Sequence, residues 1–221
     1  MPQEIGVLLV PCRRFLTTVA IDKFAPPSRW GRWRNLFGVL VLKLRKWTGW
    51  FFLLAMLGSA VPAMAQDGQV QDAAIEAAFA TFERALPDLA ATEFGVDVGA
   101  YRAALGLQRF QSAKWGGSVS VEIRRQAEAS GGCARFVAFV RVPPQDGMVR
   151  LVLCPKFFAE GTDELRALTI LHEMVHVVAG PDECQAMAFA ARVQQAATGG
   201  FTPVDAYWRA SGCEGSRYSL P

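Results

Sequence analysis

From residue 66 onward the chain moves between two hydrophobic periods. Over Val70–Leu86 the apolar residues Ile75, Ala78, Phe79, Phe82 and Leu86 recur at spacings of three and four, which predicts a helix ended by Pro87. Val98–Leu105 reads as a short second helix. The period then drops to two: Val119, Val121 and Ile123 alternate with polar residues and predict a strand. Arg135–Val142 reads as a second strand, Pro143–Gly147 as a turn and Val149–Leu153 as a third strand. Helical spacing returns over about 162–179 and 182–197 with Gly180-Pro181 between them, and a short terminal helix is expected near Val204–Ala210. Helices, a small antiparallel sheet and then more helices predict an α+β domain. The sequence contains no internal repeat, phosphate-binding loop or nucleic-acid motif.

The helix expected at 162–179 carries the chemistry. Its flanks are apolar, so it is expected in the core, yet it holds Leu171-His172-Glu173-Met174-Val175-His176. These are the two histidines of the 221-residue chain, and they are four apart. Residues i and i+4 share one helix face, so both rings can reach one ion. Buried polar groups without partners are costly, and a metal supplies the partner. The pattern is H-E-x-x-H, in which the glutamate lies beside a zinc-bound water. The competing reading, two incidental histidines on a surface helix, does not suit the apolar flanks.

Catalytic zinc takes three protein ligands and leaves a position for water. With no third histidine, the third ligand is expected to be a carboxylate, with a thiolate as the weaker alternative because the cysteines lack C-x-x-C spacing. The closest candidates are Asp182 and Glu183, just past Gly180-Pro181. Asp182 suits the N-cap of the following helix, and Glu183 its first turn, level with His176 across a short helix hairpin. We therefore take Glu183 as ligand and Asp182 as cap, with Asp182 as the alternative ligand. Glu183 also suits a purely structural role, an acid complementing the helix dipole. Asp205 and Glu214 are more distant candidates.

His172-Glu173-x-x-His176 with a downstream glutamate resembles the zincin superfamily, gluzincin branch, over about residues 161–195. The resemblance implies a zinc metallopeptidase: zinc on His172, His176 and Glu183, and Glu173 as general base moving a proton from water to the leaving amine. Two departures imply a compact form. The interval from His176 to Glu183 is much shorter than in thermolysin-like enzymes, and Met187 stands where those enzymes place an aspartate four residues after the ligand glutamate. An aspartate-ligand zincin similar to the deuterolysin group is the competing branch, but Gly161-Thr162-Asp163 precedes the helix here, whereas that group's motif follows it. Such enzymes also need a donor to the oxyanion. Tyr207 is the candidate, since its segment follows the second helix and can fold back; packing beside Trp208 is the alternative. The resemblance further implies that a substrate peptide adds a strand to an exposed sheet edge.

Charge divides the chain. Residues 1–65 hold nine Lys or Arg against Glu4 and Asp22, net +7, and the remainder holds 14 basic and 18 acidic residues, net −4. Lys43-Leu44-Arg45-Lys46, an apolar core over 47–60, Pro62 and the ending Ala63-Met64-Ala65 predict a signal peptide cleaved after Ala65. The domains are thus a basic leader with signal, 1–65, and a single zincin-like domain, 66–221. The protein is expected in the periplasm or secreted, with an uncleaved inner-membrane signal anchor as the alternative. A basic leader also suits nucleic acid, but its Trp and Phe content and its place before an export signal favour targeting. Four cysteines follow the signal, which suggests two disulfides. Cys133 and Cys154 bracket a hairpin and are paired on that ground, leaving Cys184 with Cys213.

The expected function is an exported zinc metallopeptidase acting on a peptide or protein substrate. The alternatives are a non-catalytic zincin-like domain that binds metal or a partner in the periplasm, and a scaffold in which the motif is accidental. Oligomeric state is not legible.

Overall fold

The computed structural model describes residues 3–7 and 63–221, and these belong to one compact unit. The leader beyond residue 7 and the apolar core of the expected signal peptide lie outside the described residues. The expected cleavage point after Ala65 falls in the first turn of helix α1 (Ala63–Ala85).

Helix α1 buries Ala74, Ala78, Phe82 and Ala85, a stripe at helical spacing, and ends at a 3-10 turn over Leu86–Asp88 that contains Pro87. It starts earlier than the apolar pattern, because Ala63–Ala65 read as the end of the signal peptide and the following Gln66-Asp67-Gly68-Gln69 are polar and carry no periodic signal. A second helix, α2 (Val98–Leu105), begins where Asp97 accepts a hydrogen bond from the Ala100 amide. Its Tyr101 is fully buried between Phe82 and Phe189, and its hydroxyl donates to the Leu171 carbonyl at 2.7 Å. That bond ties α2 to the metal-motif helix and satisfies a phenol that burial would otherwise leave stranded.

The main sheet has five strands: β1 (Gln3–Val7), β4 (Phe110–Ser112), β5 (Gly117–Arg125), β6 (Ala138–Gln145) and β7 (Met148–Leu153), in the order β1-β6-β7-β5-β4. A two-stranded ladder, β2 (Thr92–Glu93) with β3 (Val96–Asp97), lies apart. β5 and β7 pair in parallel and the other neighbours antiparallel, so the sheet is mixed and antiparallel-rich rather than purely antiparallel. The domain is α+β. The expected turn at Pro143–Gly147 is shorter in the structure. Strand β6 runs on to Gln145, and Asp146 and Gly147, both at positive φ, make the two-residue turn. The prolines 143 and 144 sit where the register slips between Arg141 and Gln145, the place in a ladder where a missing N–H does least harm.

Three helices complete the chain after the short α3 (Pro155–Ala159). They are α4 (Asp163–Ala179), α5 (Glu183–Thr198) and α6 (Asp205–Ala210). Helix α4 is buried without interruption from Ala167 to Val178 and touches β1, β3 and β6 as well as α1, α2 and α5. A helix enclosed on every side is expected to be apolar nearly all round, and between Ala167 and Val178 the exceptions are Thr169, His172, Glu173 and His176. Thr162 caps its start through the Leu165 amide. Among the described residues no helix is long and apolar enough to cross a membrane.

Both disulfides form, Cys133 with Cys154 and Cys184 with Cys213. Cys133 lies in a 3-10 turn before β6 rather than at the start of a strand, and the bond sits in a small cluster with Phe139 and Val152. Two disulfides are compatible with an oxidising, extracytoplasmic compartment. The second bond spans 29 residues and fastens the C-terminal tail to the first turn of α5. Replacing Cys184 and Cys213 together by serine is expected to cost about 3–4 kcal/mol from loop closure. Chemical denaturation of the double variant beside the parent measures it. A loss below about 1 kcal/mol would show that the tail is held by other contacts.

Candidate metal centre and active site

The middle of α4 places His172 and His176 one turn apart, 3 % and 0 % exposed. Their Nε2 atoms lie 3.1 Å from each other. Glu183, in the first turn of α5, brings Oε2 to 3.1 Å from His172 Nε2 and 3.7 Å from His176 Nε2. Among the described residues these form the one group of His, Cys, Asp or Glu side chains able to hold a metal ion. Local sequence explains the approach. Gly180 ends α4 at φ 101°, a value side chains other than glycine rarely adopt, and Asp182 caps α5 by accepting from the Gln185 amide at 3.0 Å. The turn between them is short enough to set Glu183 beside the last turns of α4. Asp182 is therefore at the cap and not among the grouped side chains, and neither Asp205 nor Glu214 joins them.

The donor set fits a metal. The Gly180 carbonyl lies 2.9 Å from His176 Nδ1, so a neutral ring keeps its proton there and turns an unprotonated Nε2 toward the group. Burial holds the His172 ring below the ordinary imidazole range, against the opposing pull of Glu183, so its lone pair is available at neutral pH. Burial also opposes ionisation of Glu183, but the two imidazoles, when protonated toward it at low pH, donate and attract strongly enough to keep the carboxyl well below the usual range. Three electron-pair donors thus converge in a buried place. Tetrahedral zinc sets its N and O ligands about 3.4 Å apart, close to the spacings found.

Glu173 is next to His172 in sequence and fully buried. Its Oε1 accepts from the Val7 amide at 3.0 Å, while Oε2 has no hydrogen-bond partner. Burial pushes this carboxyl well above the usual range, helped by the charge of Glu183 and opposed by the backbone amides of Val7 and Val140. Tyr207, on α6, sits 6.1 Å from the His172 ring between centroids. Its hydroxyl is 3.0 Å from Glu183 Oε2 and 3.2 Å from the Gly6 carbonyl, and one proton can serve only one of them at a time. Burial and the neighbouring Glu183 charge keep the phenol protonated far above neutral pH. Tyr207 therefore faces the site rather than only packing beside Trp208.

Some neighbours of the site carried no sequence signal. The carbonyl of Gly180 is the i+4 partner of His176, a relation that the helix stop at Gly180 could have suggested. Gly6 and Val7 are more than 160 residues away, and nothing local links them to Glu173. No family model, curated protein or solved structure matches the chain significantly.

Proposed function

We propose that the chain is a zinc metallopeptidase. One observation carries the reading: a buried glutamate, Glu173, holds an unpartnered carboxylate oxygen beside a three-ligand group of two histidines and a glutamate. A structural metal site would not need that extra base. Among the described residues no free thiolate can close the site as a fourth ligand, because Cys184 is bonded to Cys213 and Cys133 to Cys154.

Zinc on His172, His176 and Glu183 would supply Lewis acidity and bring a bound water toward a pKa of about 7. Glu173 then takes a proton from the attacking water and returns it to the amide nitrogen as the C–N bond breaks. Burial favours the protonated carboxyl that must return the proton, and the positive charge of a bound zinc would favour the carboxylate that first takes it. Tyr207 stays protonated and donates to the carbonyl oxygen as negative charge develops there. The side of β6 that β1 covers lies next to α4, and an extended substrate would join that ladder in place of β1. The H-E-x-x-H plus glutamate pattern supports a gluzincin-like enzyme in its compact form, and the two disulfides support an exported one.

The test pairs metal analysis with hydrolysis. The chain beginning at Gln66 is expected to hold about one zinc and cleave an unfolded protein such as casein, to lose cleavage to a chelator and to regain it with zinc. Cleavage that survives complete removal of metal would overturn the reading.

A further inference from the structure

Strand β1 belongs to the chain itself, yet it lies on the site as a bound peptide would. It extends β6 antiparallel, from Gln3 opposite Val142 to Val7 opposite Ala138. One peptide bond, Gly6–Val7, spans the candidate machinery. Its carbonyl oxygen is 3.2 Å from the Tyr207 hydroxyl, and its N–H donates to Glu173 at 3.0 Å. These are the two atoms that hydrolysis must serve: the oxygen that gains charge and the nitrogen that gains a proton.

The fit around that bond is selective. A Cβ at Gly6 would run into the Ala138 carbonyl oxygen and lie 2.5 Å from Phe139 Cβ and 2.7 Å from Phe139 Cα. The obstacles are backbone and a Cβ of β6, paired on its other side with β7, so no rotamer change clears them. Neighbouring positions are less demanding. Ile5 packs on the main core, and Glu4 pairs with Arg141 at 3.2 Å with both side chains partly exposed, which adds little affinity.

We propose that the cleft selects extended peptides with glycine on the acyl side of the bond held between Tyr207 and Glu173, and that residues 3–7 fill this cleft in cis for as long as the leader stays attached. The proposal rests on the peptidase reading for its catalytic part and on the geometry of β1 for its recognition part. Hydrolysis of such a peptide adds water's hydroxyl to the glycine carbonyl carbon and its proton to the following nitrogen, releasing a carboxyl and an amine.

The experiment uses the full chain, its Gly6→Val variant, a fluorescein-labelled peptide of residues 3–9, and the same peptide with alanine for glycine. Gly6→Val detaches β1, and labelled glycine peptide is expected to bind the variant about tenfold or more tighter than it binds the parent, read by fluorescence anisotropy. The alanine peptide is expected to bind the variant about 10–100-fold more weakly than the glycine peptide, the effect of overpacking by one methyl. Ile5→Asp detaches β1 by a different route and guards against a folding defect peculiar to Gly6→Val; circular dichroism checks both. Mass spectrometry of the bound peptide is expected to find the cut between glycine and valine. Equal binding of the two peptides overturns the selectivity. Equal binding by parent and both detached variants overturns the occupation in cis. Selective binding without hydrolysis leaves recognition standing and overturns the peptidase reading instead.

Discussion

Glu173→Gln is expected to lower peptide hydrolysis by about 10²–10⁴-fold while leaving zinc content unchanged. The substitution is nearly isosteric. Glutamine keeps the carboxylate's shape: where residues 3–7 are present its amide oxygen can still accept from the Val7 amide, and its NH2 takes the place of the carboxylate oxygen that has no partner. What is lost is the ability to take a proton from water and pass it to the leaving nitrogen. Stability is expected to hold or rise, because a fully buried carboxyl whose ionised form is penalised by burial gives way to a neutral group. The measurement is zinc per chain, hydrolysis rate and denaturation midpoint on both proteins beginning at Gln66. A variant that hydrolyses at the parent's rate removes Glu173 from the reaction. A variant that loses rate, zinc and stability together shows a structural role and leaves the base unassigned.

Glu183→Gln carries the second large effect, on the metal itself. Exchanging the carboxylate for an amide removes the charged member of the ligand group but keeps the helix turn, the Asp182 cap and a partner for Tyr207. Zinc affinity is expected to weaken on the order of a hundredfold or more, since even groups behind the ligands cost 10–100-fold when changed. Ligand binding stabilises the folded state by mass action, so a hundredfold loss removes about 2.7 kcal/mol of zinc-linked stability at saturating metal. Competition with a fluorescent chelator gives the affinity, and thermal melts with and without zinc give the linked stability. Asp182→Asn, at the cap, is expected to leave zinc affinity within about twofold, because asparagine caps as well as aspartate. If Asp182→Asn weakens zinc as much as Glu183→Gln, the assignment of cap and ligand is reversed.

The centre of the site was legible for local reasons. His172 and His176 face one way because α4 has 3.6 residues per turn, and Glu183 reaches them because Gly180 and Asp182 end one helix and start the next within three residues. The cysteine pairs were legible because one brackets a hairpin and leaves only one other pairing. The apolar flanks of the motif foretold a buried helix. Where the reading fell short, long-range packing had decided. The start of α1 gave no period, since Ala63–Ala65 read as the end of a signal peptide and the next four residues are polar; the parallel pairing of β5 with β7 left no mark on either strand, and the prolines that suggested a turn are absorbed in an irregular stretch of β6.

Tyr207 stood between two roles in the sequence, and only the path of the chain from α5 to α6 brings its hydroxyl onto Glu183 and the Gly6 carbonyl. That residues 3–7 form an edge of the sheet by pairing with β6 depended on contacts between segments more than 130 positions apart. The amino-acid sequence by itself determined the α+β character, the metal-motif helix, its cap-and-turn partner and the cysteine pairing, because helix period, capping chemistry and turn residues act over a few positions. The tertiary structure alone decided the backbone partner of Glu173, the placement of Tyr207 and the edge strand beside them, because long-range contacts and strand pairing depend on neighbours that the local pattern does not name.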